Sequence, residues 1–106
     1  MTGAEQPIDQ ARLDGLARLM KADGYQRFID GAERAAADQL SQLVAAGSDG
    51  EAVSRAIHGL KGLLANLGMA AAEAQVRRLS RPPTPEELTA LEDAIRTAMA
   101  AARAIA

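Results

Sequence analysis

The sequence predicts an all-α protein, an up-and-down antiparallel four-helix bundle with a short extra N-terminal helix. Apolar residues recur at steps of three and four, the period of one helix face. Hydrophobic residues make up 48% of the chain and are mostly alanine and leucine, with one tyrosine and one phenylalanine, which favours close-packed helices over a sheet. Glycine- and proline-containing breaks leave only short loops. A chain of 106 residues predicts one domain, of which residues 1–8 are expected to be flexible.

The first half of the chain predicts two helices. A short one runs from Asp9 to Ala22 and ends at Asp23-Gly24, and a longer one runs from Tyr25 to Ala46. The positions expected to face inward are Leu13, Leu16 and Met20 in the first helix, and Phe28, Ile29, Ala32, Ala36, Leu40, Leu43 and Val44 in the second. A turn over residues 47–50 follows, and Ser48 with Glu51 predicts a capping box for the next helix.

The second half predicts three more helices. The first runs from Asp49 to Leu67, and Gly68 follows as a C-terminal glycine with positive φ. The next runs from Ala70 to Ser80 and is stopped by Pro82-Pro83. A capping threonine, a proline at the first turn and a glutamate at the third position, Thr84-Pro85-Glu86-Glu87, begin the last helix. The positions expected to be buried are Met69, Ala72, Val76 and Leu79, then Leu88, Leu91, Ile95, Met99, Ala102 and Ile105.

The helix over residues 49–67 carries the only histidine of the chain, His58. At about 100° per residue, one stripe about 120° wide gathers its apolar side chains. These are Val53, Ala56, Ile57, Leu60, Leu63, Leu64 and Leu67. His58 lies about 160° from the centre of that stripe and is therefore expected to point to solvent rather than into the core.

The residues around His58 are suited to holding a phosphoryl group. Glycine in a helix interior costs roughly 1 kcal/mol relative to alanine, so the presence of both Gly59 and Gly62 beside His58 indicates that a side chain is unfavourable at these positions. Gly62, one turn beyond the ring, leaves space for an approaching group, while Lys61 at i+3 and Arg55 at i−3 place cations on neighbouring turns. A neutral imidazole nitrogen is a nucleophile, and phosphoryl transfer needs positioning and charge neutralisation.

The string H-G-L-K-G-L-L-A-N-L-G resembles the signature of histidine-containing phosphotransfer (HPt) domains, which reads H-x-L-K-G, five residues, then G. The matching positions are His58, Leu60, Lys61, Gly62 and Gly68. The resemblance implies a helical bundle that relays phosphoryl groups in two-component signalling. It implies that His58 is the phosphoacceptor, that Lys61 steadies the phosphoryl group and that Gly62 permits access.

The resemblance also implies partners and a mechanism. We expect reversible transfer between His58 and the phosphoaspartate of a receiver domain, of a response regulator or a hybrid histidine kinase. Docking is expected on the face around His58, with Arg55, Gly62 and Ala65, bordered by Leu63 and Met20. The chain itself is expected to bind no cofactor or metal, with Mg²⁺ supplied by the receiver, and to lack autonomous kinase activity. A polar side chain from a neighbouring helix commonly orients the histidine in this family, and Gln75 and Arg78 are candidates.

Composition and charge argue against several other classes. The net charge is −2 with both signs interspersed, unlike the basic surface of a nucleic-acid-binding domain. The chain has no cysteine and one histidine, which excludes disulfides, thiolate sites and multi-histidine metal sites within one chain. No apolar run reaches the roughly 20 residues of a membrane span, and we expect a cytoplasmic location. The cluster Arg77, Arg78 and Arg81 is interpreted as a solvated face.

Two alternatives stay open at this point. The chain could be a non-phosphorylated adaptor or inhibitor that binds a receiver or a histidine kinase. It could also be a dimerising bundle like the dimerisation module of a histidine kinase, where an acidic residue typically follows the histidine; Gly59 has that place here. The number of helices favours a monomer that closes its own core.

Overall fold

A computed structural model describes residues 6–105, and this part of the chain is helical with no strand. The helices are α1, Gln10–Ala46; α2, Gly50–Asn66; α3, Ala70–Arg77; and α4, Pro85–Arg103. Each helix contacts the next along the chain, and α4 also contacts α1. No helix in the described range is both long and apolar enough to span a bilayer.

The first helix is interrupted, but at a different residue from the one we predicted. α1 is interrupted at Lys21, whose φ of 60° and ψ of 170° are not helical, so the helix consists of segments 10–20 and 22–46. We predicted the break at Asp23-Gly24, where glycine would adopt unusual backbone angles most easily. Both of those residues are helical instead, and a lysine has the conformation that glycine normally supplies.

The helix ends are set by local side-chain contacts. Asp49, not Ser48, caps α2: its carboxylate accepts hydrogen bonds from the backbone N–H groups of Glu51 and Ala52. The prediction of a Ser48 capping box was therefore wrong, because the side chain of Asp49, one residue later, accepts hydrogen bonds from the free N–H groups of the first turn. The capping box at Thr84 is confirmed, with Glu87 bonded reciprocally to it.

The connection from α2 to α3 is joined to the start of the described chain. Gly68 has a φ of 69°, as predicted for a C-terminal glycine, and its carbonyl accepts a 2.7 Å hydrogen bond from Asp9 N–H. A Cβ on Gly68 would lie 2.8 Å from the Cβ of Asp9, so glycine is also needed for this close approach. Ile8 is buried. Of residues 1–8, which the sequence predicts to be flexible, residues 1–5 lie outside the described range.

The core is apolar and follows the predicted stripes closely. Leu13, Ile29, Leu60, Leu91 and their neighbours at helical spacing are buried. The predicted positions that are only partly buried are Leu16, Met20, Phe28, Leu40, Leu63, Leu88 and Ile105. Val44 is wrong as a core residue, because 62% of it is exposed.

Polar contacts fasten the end of α4 to α1. The hydroxyl of the fully buried Tyr25 donates a 2.7 Å hydrogen bond to the carbonyl of Ala102. Arg103 forms ion pairs with Asp30, at 2.6 Å, and with Glu33 on α1. Burial raises the pKa of Tyr25 above its ordinary value, and the nearby charge of Asp14 raises it further.

Candidate functional site

The outer face of α2 is the most distinctive surface of the protein. His58 is exposed in the middle of the helix, and the predicted outward positions Glu51, Ser54, Arg55, Lys61, Gly62 and Ala65 are all exposed as well. The opposite side of the same helix is buried, with Leu60 and Leu64 inaccessible to solvent. The exposed and buried faces of α2 therefore follow the helical angles of the sequence, with Leu63 half-buried between them.

Space and charge are both available beside the ring. A Cβ built on Gly62 would meet no atom within 4 Å, so the space one turn beyond His58 is open. Lys61 and Arg55 are exposed on the adjacent turns, where residues three apart are neighbours on a helix surface. An anionic group carried by the ring would thus have cations on both sides along the helix axis.

Gly59 differs from Gly62 in its surroundings, because a neighbouring side chain occupies the space next to it. A Cβ on Gly59 would lie 2.6 Å from Oε1 and 2.8 Å from Cδ of Gln39, which is half-buried on α1. The absence of a side chain at Gly59 therefore lets the amide of Gln39 lie against the backbone of α2 directly beside His58. Our sequence interpretation missed Gln39. The available signal was a polar residue three positions after the core residue Ala36, at the edge of the apolar stripe of α1.

The other predicted residues belong to α1, α2 and the end of α3. Leu63 is half-buried at the edge of the core and Ala65 is exposed on the turn after Gly62. Met20 is half-buried at the end of segment 10–20 of α1. Gln75 is half-buried on α3, and Arg78 is exposed at its C-cap; both remain candidates for orienting the ring.

A groove of about 500 Å³ lies between α1 and α2 on the Gly62 side of His58. Its lining is mostly apolar and includes Phe28, Gly31, Ala32, Ala35, Leu63 and Leu67, with Arg27 and Asn66 at its edge. Leu63 follows Gly62 directly along α2, so the groove begins one residue from the open position beside His58. An apolar groove between two helices can receive an amphipathic element of a partner.

Comparison with known families identifies one match that covers most of the chain. The model described as Hpt domain matches residues 23–104, which include Gln39, all of α2 and the groove. Comparisons with curated proteins and with solved structures gave no significant match.

Proposed function

Because the chain belongs to the Hpt domain family, we propose that it is a phosphorelay intermediate in which His58 is the phosphoacceptor. Members of this family transfer phosphoryl groups through histidine in two-component signalling. The observation that supports the assignment to His58 is its exposure on α2 beside Gly62, where no atom would obstruct a Cβ. It is also the only histidine of the chain.

The proposed step is a transfer between two side chains. The unprotonated ring nitrogen of His58 attacks the phosphorus of a receiver-domain phosphoaspartate and forms an N–P bond. The P–O bond to the aspartate breaks, its electron pair returns to the carboxylate, and the other ring nitrogen keeps its proton. Transfer in the opposite direction phosphorylates a second receiver, so the chain exchanges phosphoryl groups without hydrolysing ATP.

The residues around the ring have separate functions in this proposal. Lys61 stabilises the negative charge of the phosphoryl oxygens, since such transfer depends on positioning and on charge neutralisation. Gly62 leaves the path to the ring open. Gln39, held against Gly59, positions the backbone and ring of His58. The Mg²⁺ that this chemistry uses is supplied by the receiver, and this chain holds no cofactor.

We propose that the receiver docks over Arg55, Gly62, Ala65 and the groove lined by Leu63. Ala35 and Ala37 offer a matched pair to test this, because both are exposed on α1 but only Ala35 lines that groove. Ala37 lines a separate depression that faces α4. We expect Ala35→Glu to slow transfer severalfold and Ala37→Glu to leave it unchanged. Equal rates for the two variants would contradict this docking face.

The proposal also includes the antiparallel arrangement of the helices and the oligomeric state of the protein. An up-and-down antiparallel arrangement is supported by two contacts. Tyr25, near the start of segment 22–46, bonds to Ala102 near the end of α4, and Ser54, in the early part of α2, bonds to Arg81 in the loop that follows α3. We propose that the protein is cytoplasmic and monomeric. Analytical ultracentrifugation would test the oligomeric state, because a dimer would favour the alternative of a kinase dimerisation module.

The decisive experiment measures transfer of ³²P from several phosphorylated receiver domains, in the presence of Mg²⁺, to the wild type and to His58→Gln. We expect label on the wild type only, lost in acid and retained in base, as for phosphohistidine. Receivers that bind the wild type but never transfer label would support the adaptor alternative. A cellular activity that His58→Gln retained in full would support it too.

A further inference from the structure

The loop between α3 and α4 brings a cation to the histidine helix. Arg81 Nη1 donates a 2.8 Å hydrogen bond to the hydroxyl of Ser54 on α2. Ser54 precedes His58 by four residues, so the two lie on the same side of the helix, about 6 Å apart along its axis. The arginine cluster that the sequence indicated to be a solvated face therefore has one member fixed next to the proposed phosphoacceptor.

The backbone on both sides of Arg81 is held in place. The carboxylate of Glu87 accepts hydrogen bonds from the N–H and hydroxyl of Ser80 and from the N–H of Thr84. These bonds, chiefly that from Thr84 N–H, hold the pKa of Glu87 below its ordinary value, so the carboxylate is charged at neutral pH. Leu79 is buried in the core. The position of Arg81 is thus set by the fold, while its side chain remains exposed.

The charge of Arg81 is not neutralised by a carboxylate within residues 6–105. Three other arginines do form ion pairs there: Arg77 with Glu73, Arg96 with Asp93, and Arg103 with Asp30 and Glu33. Arg81 instead bonds to a neutral hydroxyl through one of its five N–H donors. Its positive charge and its remaining donors are available to an anion that arrives on the adjacent turn.

We propose that Arg81 binds the phosphoryl group once it is on His58, and that Ser54 holds the guanidinium near that position beforehand. This inference rests on the proposed function. Guanidinium presents paired N–H donors that match phosphoryl oxygens, and such charge-assisted bonds are stronger than a bond to a hydroxyl. The phosphoryl group would then lie between Lys61, three residues after the ring, and Arg81, which approaches from the turn before it.

The test uses phosphoramidate as a small-molecule donor, so no partner protein is needed. The histidine nitrogen displaces ammonia from phosphorus, and ³¹P NMR follows the ionisation of the phosphoryl group in the full chain. A nearby cation favours the dianion, so Arg81→Ala should raise the second pKa of the phosphoryl group by about 0.5. Arg81→Lys should restore part of the difference. Ser54→Ala should raise the pKa by less than Arg81→Ala does, because the guanidinium is kept but is no longer held near the ring.

Two controls separate the possible failures. Arg77→Ala removes an exposed arginine that is paired with Glu73 and should not change the ³¹P titration. If Arg81→Ala titrates like the wild type, or if Arg77→Ala raises the pKa equally, the proposed contact is wrong although His58 is phosphorylated. If phosphoramidate labels His58→Gln as well as the wild type, the proposed phosphoacceptor is wrong, and this inference with it.

Discussion

Replacing Gly62 should make the bundle more stable and the relay slower. Glycine costs a helix interior about 1 kcal/mol relative to alanine, and a Cβ at Gly62 would meet no atom within 4 Å. Gly62→Ala should therefore stabilise the fold by about 1 kcal/mol, which corresponds to a rise in melting temperature of about 5 °C for a domain of this size. Gly62→Gln should stabilise it slightly less and place a side chain beside His58.

The assay combines urea unfolding, followed by circular dichroism, with the rate of phosphoryl transfer from a receiver. For Gly62→Gln we expect transfer to fall at least about tenfold, or about 1.4 kcal/mol in the barrier. Gly15→Ala is the matched control, because it also removes a helical glycine with no atom near its Cβ position and lies outside the docking face. It should stabilise the protein equally and transfer normally. If Gly62→Gln transferred phosphoryl groups at the wild-type rate, or if it were less stable than the wild type, Gly62 would not be the open position beside His58 that we infer.

Three further substitutions test the backbone and the core. Lys21→Gly should stabilise the fold by about 1 kcal/mol in thermal melts, because lysine is strained at a φ of 60° and a ψ of 170°; an unchanged midpoint would contradict the break in α1. Gly68→Ala should destabilise by on the order of 2 kcal/mol in urea titrations, since it combines positive φ with an overlap on Asp9; alanine tolerated at no cost would be inconsistent with that turn. Tyr25→Phe loses the hydrogen bond to Ala102 and should cost about 1 kcal/mol. Because the pKa of Tyr25 is raised in the folded protein, the neutral hydroxyl contributes stability that is fully present at pH values below about 10, the ordinary pKa of tyrosine. This contribution is lost as pH rises through the pKa of the folded protein. Tyrosinate absorbance reports this titration directly, because the chain has one tyrosine and no tryptophan; a pKa at or below 10 would refute burial of the hydroxyl.

The features that the sequence predicted correctly are local ones. The capping box at Thr84 and the positive φ of Gly68 depend on residues within one turn of chain. The exposure of His58 and the burial of Leu60 follow from helix geometry alone, because their angular separation is fixed by spacing. For this reason the outer face of α2 could be predicted residue by residue.

The features that were missed depend on contacts between distant parts of the chain. The contact of Gln39 with Gly59 joins two helices and the hydrogen bond of Arg81 to Ser54 joins a loop to a helix, and no spacing rule relates either pair. The break at Lys21 opposes local preference, since Gly24, which adopts such angles more easily, lies only three residues away. Val44 continues the three- and four-residue pattern of α1 but lies at the edge of the apolar stripe, next to the buried Leu43, and is exposed.

The division of α2 into two faces has a consequence for how such relays stay separate within one cell. Within residues 6–105 the buried side chains are apolar, and the groups around His58 lie outside that core. On the proposed docking face, substitutions at Arg55 or Ala65 are therefore expected to change which partner is preferred without loosening the helices that hold the histidine. A duplicated copy could acquire a new partner through a few surface changes, and unwanted cross-signalling could be removed in the same way.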